Sequence, residues 1–154
     1  MKHKVALMFG GNIGDTAAVF DTAVSKLQEK GFTVLKRSGV FVTAPVDCDP
    51  GTPDFLNQAV LGEWENTAEE LLALTQKTEQ ESGRPAEHSR REARTLDIDM
   101  ITFGDMLING KNLTVPHPRA QQRRFVLEPL GTIAPGLRFP DSGMTVAELL
   151  KTVM

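Results

Sequence analysis

An alternating apolar segment near residue 100 restricts the fold of this chain more than any other feature. Residues 94–104 read RTLDIDMITFG, and this apolar and β-branched composition predicts a strand. Because side chains on a strand alternate between its two faces, Asp97 and Asp99 are predicted to share one face. The opposite face carries the apolar side chains of Leu96, Ile98 and Met100. One face must therefore enter a hydrophobic core, while the other must accommodate two carboxylates.

The two carboxylates repel each other unless a positive charge lies between them. At a separation of about 6 to 7 Å and an effective dielectric constant of about 20, this repulsion is on the order of 2 to 3 kcal/mol. A divalent cation removes it, and oxygen ligands favour magnesium. The alternative is that one aspartate caps a turn and the other pairs with an arginine. An arginine-rich segment just before the strand weakens this alternative. A polyphosphate bound through magnesium needs carboxylates for the metal and arginines for its own charge.

The overall composition indicates one soluble globular domain, residues 1–154. A chain of 154 residues with 40% apolar and 24% charged residues can bury a core of its own. The sequence contains neither an apolar run of bilayer length nor a signal-peptide pattern, so we expect a cytoplasmic protein without membrane contact. The single cysteine, Cys48, excludes an intramolecular disulfide. The net charge of −3 argues against a general nucleic-acid binder.

Hydrophobic periodicity predicts the order strand, helix, strand, strand, helix, strand. The strands are predicted at 5–10, 32–43 with a break near Ser38, 54–65 and 94–104. The helices are predicted from Asp15 to Gly31 and from the capping box at Thr67 to Ser82. This order predicts an α+β fold, a ferredoxin-like split βαβ sandwich whose helices cover one sheet, with the C-terminal segment packed around it.

Three connecting segments carry polar residues or glycines. Residues 10–15 predict a tight turn rather than a phosphate-binding loop, because the GxGxxG spacing and the P-loop lysine are missing. Residues 44–53 are rich in proline and glycine and predict an irregular loop. Residues 84–94 contain four arginines and almost no apolar side chain. We expect this last loop to be open or disordered without ligand and to become ordered around a triphosphate, so that nucleotide binds first.

Two polar residues remain open to interpretation from the residues alone. Asn57 lies among apolar neighbours on its strand, and a buried amide usually finds its hydrogen-bond partners inside the protein. The alternative is a ligand with matching donors and acceptors. His117 stands between two prolines and precedes several arginines, which suits a donor to phosphate. A turn histidine without functional consequence fits the same pattern equally well.

Four motifs spread along the chain occur together in one known family. They are FGGNIGD at 9–15, TAP at 43–45 with PDFLN at 53–57, RTLDID at 94–99, and VPHP at 115–118 continued through Arg123 and Phe125. In order and spacing, this set resembles the 6-hydroxymethyl-7,8-dihydropterin pyrophosphokinase family. The resemblance implies an ATP-dependent diphosphotransferase of folate biosynthesis, which moves the pyrophosphoryl group of ATP to the hydroxymethyl oxygen of the pterin and leaves AMP.

The same resemblance implies roles for individual residues. Asp97 and Asp99 match positions that hold two magnesium ions, and the implied catalytic set consists of Arg84, Arg94, Asp97 and Asp99. The implied ATP-binding residues are Gln76, Arg84, Arg94, His117 and Arg123. The implied pterin-binding residues are Thr43, Phe55, Asn57 and Phe125, with the two phenylalanine rings on either side of the heterocycle. The resemblance therefore favours function for Asn57 and His117, and implies ATP and the hydroxymethyl dihydropterin as the substrates. We also expect a monomer that binds neither nucleic acid nor membrane.

The chain departs from the family's pattern near the arginine-rich loop. Trp-Gly-Pro often precedes the RTLD run in the family, whereas residues 91–93 here are Arg-Glu-Ala. Several members also have basic residues where this chain has Ala86 and Asn112. These differences make the loop over the site the least transferable part of the resemblance.

Two other function classes fit parts of the pattern. A ferredoxin-like RNA-binding module is disfavoured by the acidic balance and by the absence of tyrosine. A magnesium-dependent phosphohydrolase using the same aspartates differs in one respect, since it would act on ATP without a pterin.

Overall fold

The computed structural model describes residues 2–12, 15–43, 54–82 and 96–153. In these segments the predicted α+β order is confirmed, with four helices and seven strands. The strands are β1 (His3–Gly11), β2 (Thr33–Arg37), β3 (Phe41–Thr43), β4 (Phe55–Trp64), β5 (Asp97–Phe103), β6 (Ile108–Asn109) and β7 (Thr114–Val115). The helices are α1 (Thr16–Glu29), α2 (Ala68–Glu81), α3 (Arg124–Ile133) and α4 (Val146–Val153), with a short 3-10 helix at Ala120–Gln122.

The main sheet has the strand order β2-β4-β1-β5, and β3 extends the line of β2 along β4. All of its strand pairs are antiparallel. The predicted break near Ser38 is confirmed, because β2 ends at Arg37 and β3 begins at Phe41. Ser38 bridges the break: its N–H donates to the carbonyl oxygen of Ala59 and its hydroxyl accepts the N–H of Ala59, both at 2.9 Å. Strands β6 and β7 form a separate hairpin.

Helices cover both faces of the main sheet, and alternate residues of β1 divide between them. Val5, Leu7 and Phe9 pack with α1 and α2 on what we call the α1/α2 face. Ala6 and Met8 pack with α3 and α4 on what we call the α3/α4 face. Burying a large apolar side chain contributes about 1.5 to 3 kcal/mol. Both cores therefore depend on the alternation of side chains along β1.

Local hydrogen bonds explain where the helices begin. The carboxylate of Asp15 accepts the N–H of Ala18 at 3.2 Å, as expected for the predicted N-cap of α1. The predicted capping box of α2 is present. The Thr67 hydroxyl accepts the N–H of Glu70 at 3.1 Å, and the Glu70 carboxylate accepts the N–H of Thr67. None of the described helices has the length and apolarity that crossing a membrane requires.

The boundary between the first strand and the following turn was predicted one residue too early. The strand was predicted to end at Gly10 and the turn to span residues 10–15, but Gly10 and Gly11 both belong to β1, where they pair with Asn57 and Leu56. Strand β1 continues through both glycines because glycine also adopts the extended backbone of a strand. The rest of that turn, Ile13 and Gly14, lies outside the described residues.

Candidate active site

The candidate site begins with a row of three residues across the sheet. Gly10 lies directly opposite Asn57 on one side and directly opposite Asp97 on the other. Residues that face each other in antiparallel strands point to the same face, which here is the α3/α4 face. A Cβ atom added at Gly10 would lie 3.7 Å from Asn57 Oδ1. The missing side chain at Gly10 therefore leaves an open floor between an amide and a carboxylate.

Asp99 occupies the next row on the same face. It lies opposite Met8, which packs in the core of the α3/α4 face. The side chains between and beside the aspartates, Leu96, Ile98 and Met100, are buried in the other core. The prediction that the two carboxylates share one face is confirmed. Asp97 is half-buried and Asp99 is exposed, so both are accessible from the end of the sheet.

Glu79 supports this strand although it was not among the predicted site residues. Its side chain is 8% exposed, and its Oε2 accepts the N–H of Ile98 at 2.7 Å. Since β5 is an edge strand of the described sheet, no other described strand pairs with this N–H. The carboxylate thereby holds the backbone between the two aspartates. The sequence could have indicated that Glu79 is buried, because it follows Thr75 by one helical turn on the buried side of α2.

His117 lies beside the free edge of β5. Its N–H donates to the carbonyl oxygen of Ile101 at 2.9 Å, and the preceding Val115-Pro116 peptide is cis. The ring nitrogen Nδ1 accepts the N–H of Arg119 at 3.3 Å. A neutral imidazole whose Nδ1 accepts a hydrogen bond carries its proton on Nε2. The ring therefore offers one N–H donor.

Burial lowers the pKa of His117 below its ordinary value of 6.5. The negative charge of Asp99 opposes this shift, while the positive charges of Arg123 and Arg119 add to it. The lowered pKa favours the neutral imidazole, in which the Nε2 N–H is available as a donor. The charges of one carboxylate and two guanidinium groups therefore all act on this imidazole.

Arg123 and Phe125 meet where α3 begins. The guanidinium carbon of Arg123 lies 5.5 Å from the centre of the Phe125 ring, a cation–π contact. The Phe125 side chain is 39% exposed. Helix α3 packs against β3 and β4, the strands that carry Thr43, Phe55 and Asn57.

Three of the predicted pterin-binding residues lie together on β3 and β4. Asn57 is 6% exposed, and its Nδ2 donates to the hydroxyl oxygen of Thr43 at 3.0 Å. Thr43 in turn lies opposite Phe55. Asn57 thus has an internal partner, as the structural interpretation requires. No described residue donates to its Oδ1, which is the atom that points toward the open floor at Gly10.

Gln76 lines a cavity of about 690 Å³ between α2 and the β6–β7 hairpin. The walls include the apolar side chains of Leu72, Ile108 and Leu113, and Lys111 and Asn112 lie at the hairpin. A larger cavity of about 770 Å³ lies against Lys4, Lys36 and Arg138 and contains none of the predicted site residues.

Two predicted residues, Arg84 and Arg94, lie outside the described residues, as do Cys48 and the predicted loops at 44–53 and 84–94. In the described part of the chain, no group of three or more His, Cys, Asp or Glu side chains converges on a possible metal centre. Asp97 and Asp99 nevertheless fit magnesium, because this ion commonly binds through one or two carboxylates together with substrate phosphates and water.

Comparison with known proteins decides the family. Residues 6–135 match the model of the 7,8-dihydro-6-hydroxymethylpterin-pyrophosphokinase family. The chain belongs to this family. The resemblance inferred from the four motifs is thereby confirmed, and the pyrophosphokinase match covers every described residue of the site.

Relatives include bacterial and plant pyrophosphokinases. The chain is 40% identical over 134 residues to 2-amino-4-hydroxy-6-hydroxymethyldihydropteridine pyrophosphokinase of Bacillus subtilis. This alignment covers 86% of this chain and 79% of the Bacillus protein. A Synechocystis protein of the same name is 33% identical over 151 residues, covering 98% of this chain and 76% of the relative. The mitochondrial folate synthesis bifunctional protein of Arabidopsis thaliana is 36% identical over 129 residues, or 84% of this chain. The match spans only 23% of that longer plant protein.

Solved structures support the pyrophosphokinase fold. The Plasmodium falciparum HPPK-DHPS crystal structure with pteroate superposes with a TM-score of 0.76 at 14% identity. The superposition covers 99% of this chain and 42% of the Plasmodium chain. The predicted fold class is confirmed by this match.

Proposed function

We propose that this chain transfers the pyrophosphoryl group of ATP to the hydroxymethyl oxygen of 6-hydroxymethyl-7,8-dihydropterin and releases AMP. The observation that carries the proposal is the row Asn57–Gly10–Asp97 across the sheet. A group that recognises a heterocycle edge lies at one end of this row, and a carboxylate that binds a metal lies at the other. The two substrates would therefore meet above Gly10.

The pterin end of the site combines hydrogen bonding with aromatic faces. Asn57 has an amide that can match a donor and an acceptor on the heterocycle, and Thr43 holds it in place through the 3.0 Å hydrogen bond. Phe55 and Phe125 offer flat apolar surfaces without competing polar groups. This combination favours a planar heterocycle with a polar edge as the acceptor substrate.

The nucleotide end of the site is anionic where the metal binds and cationic around it. Asp97 and Asp99 would hold magnesium, two ions in this proposal, and bound magnesium supplies neutralisation of the phosphate charge. His117 would donate through Nε2 and Arg123 through its guanidinium to phosphate oxygens. Gln76 would contact the nucleotide from its cavity, and Arg84 and Arg94 complete the proposed phosphate contacts.

The residues of the site orient the reactants more than they move protons. Phosphoryl transfer depends mainly on in-line placement and on charge stabilisation. A rigid sheet floor, with Asp97 and Asn57 in one row, suits this requirement. A monomeric state and a cytoplasmic location belong to the same proposal.

The test is an assay of AMP formation with ATP and magnesium, with and without the hydroxymethyl dihydropterin. We expect AMP only when the pterin is present, together with a pterin diphosphate product. Asp97→Asn protein serves as the matched inactive control. Phosphate release that does not depend on the pterin would contradict the proposal and would indicate a phosphohydrolase.

A further inference from the structure

The contact between Arg123 and Phe125 links the two halves of the proposed site. The guanidinium carbon lies 5.5 Å from the ring centre, and the phenylalanine is 39% exposed. Within the described segments, Arg123 forms no ion pair and Phe125 has no other aromatic partner. A guanidinium without a described carboxylate partner thus rests on an exposed ring.

Arg123 is also close to the nucleotide end. Its charge acts on His117, which is in turn influenced by the charge of Asp99. The backbone of Arg123 is extended, and its N–H donates to the carbonyl oxygen of Ala120, so the residue is anchored between the 3-10 helix and α3. Arg123 therefore contacts a ring proposed to bind the pterin and acts electrostatically on His117, which is proposed to bind the phosphates.

A phosphate and the ring compete unequally for this guanidinium. An exposed cation–π contact contributes roughly a two- to fivefold factor in an equilibrium constant. A hydrogen bond to a charged group contributes roughly ten- to a hundredfold, and an arginine fork makes two of them with a phosphate. A bound triphosphate would therefore draw the guanidinium away from the ring.

We infer that Arg123 is a positioning residue that couples the two substrates through Phe125. Without nucleotide its guanidinium covers the ring, and a bound triphosphate removes this cover so that the ring can stack on the pterin. The inference rests on the proposed function. Because coupling between two ligands is reciprocal, the pterin must strengthen nucleotide binding by the same factor as nucleotide strengthens pterin binding.

The first experiment measures the affinity of an unreactive pterin analogue in the absence of nucleotide. In Arg123→Gln protein the ring is uncovered, so we expect the pterin affinity to rise roughly two- to fivefold over the parent protein. Arg119→Gln is the matched control, because it removes a positive charge that also acts on His117 but does not cover Phe125. A residue that only contacts ATP would leave this nucleotide-free affinity unchanged.

The second experiment measures the affinity of a non-hydrolysable ATP analogue with magnesium. Phe125→Leu releases Arg123 from the ring, and we expect nucleotide affinity to rise roughly two- to fivefold. Melting curves for both variants check that each is folded.

The outcomes separate the coupling from the proposed function. Unchanged or weaker nucleotide-free pterin binding by Arg123→Gln, with normal binding by the parent, overturns the coupling alone. Unchanged nucleotide affinity in Phe125→Leu also overturns it. Failure of the parent protein to bind the pterin analogue or to form AMP overturns the proposed function and the coupling together.

Discussion

Strand β5 has two faces with opposite requirements, and their comparison explains much of the molecule. On the α1/α2 face, Ile98 and Met100 are each 6% exposed and complete a hydrophobic core. On the α3/α4 face, Asp97 and Asp99 carry charge at the accessible end of the sheet. The same seven-residue strand therefore stabilises the fold with one set of side chains and presents the proposed magnesium ligands with the other. Substitutions on the two faces should separate stability from activity.

The largest expected effect is on activity, from Asp97→Asn or Asp99→Asn. Each change removes a negative charge from the proposed magnesium site, which costs several kcal/mol of transition-state stabilisation, so turnover should fall on the order of a thousandfold. Neither side chain belongs to a hydrophobic core, so both variants should remain folded. Steady-state AMP formation and thermal melting test the two halves of this expectation. Turnover near the parental rate in either variant would remove that aspartate from the metal site.

The matching change on the other face is Ile98→Ala. It should lower the free energy of unfolding by about 3 kcal/mol, because it removes buried methyl groups and leaves a cavity. The remaining folded protein should bind nucleotide and magnesium nearly as the parent does, since the aspartates are unchanged. Denaturant titration gives the first quantity, and calorimetric titration of the ATP analogue gives the second. A large loss of nucleotide affinity at full folding would mean that the two faces are not separable.

A smaller effect should distinguish the two ends of the α3/α4 face. Phe55→Ala and Phe125→Ala should each weaken binding of a pterin analogue roughly tenfold, because each change removes a stacking surface. Neither change should weaken binding of the ATP analogue. Val42→Ala is the control on the adjacent strand, since Val42 is 62% exposed and lies outside the proposed pocket. Equal losses for both ligands would indicate that the two phenylalanines maintain the fold instead.

The smallest expected effect concerns the pH dependence of stability in the ligand-free protein. Because burial lowers the pKa of His117, the unfolded chain takes up this proton at a higher pH than the folded protein does. The free energy of unfolding is therefore unaffected by protonation of His117 above pH 6.5. It decreases as the pH falls from 6.5 toward the lowered pKa of His117 in the folded protein. His117→Asn should remove this part of the pH dependence. An imidazole titration by NMR at or above pH 6.5 would contradict the assigned shift.

The features that the sequence could predict are those encoded within a few residues. Asp97 and Asp99 share a face because strand periodicity requires it, and the capping box at Thr67 and Glu70 depends on a spacing of three residues. The family resemblance added the residues of the pocket, such as Asn57. These predictions needed no knowledge of which strands are neighbours.

The features that the sequence could not predict depend on pairing between distant segments. Gly10 was predicted at the junction of the first strand and the turn, and its place between Asn57 and Asp97 follows only from the register of β1 with β4 and β5. The role of Glu79 likewise requires knowing that β5 is an edge strand of the described sheet, where no described strand pairs with the N–H of Ile98 and Glu79 accepts it. A one-residue shift in either register would turn Asn57 or the aspartates to the other face.

The covered edge of β5 has a consequence for the behaviour of the protein at high concentration. An exposed edge strand offers unpaired backbone groups to a second chain and promotes aggregation. Here the N–H of Ile98 is bound by Glu79 and the carbonyl oxygen of Ile101 by the N–H of His117, so these positions of the edge cannot accept another strand. At the opposite edge of the sheet, β2 is only five residues long and carries Lys36 and Arg37. The contacts that hold β5 in place thus also protect these edge positions against pairing with a second chain.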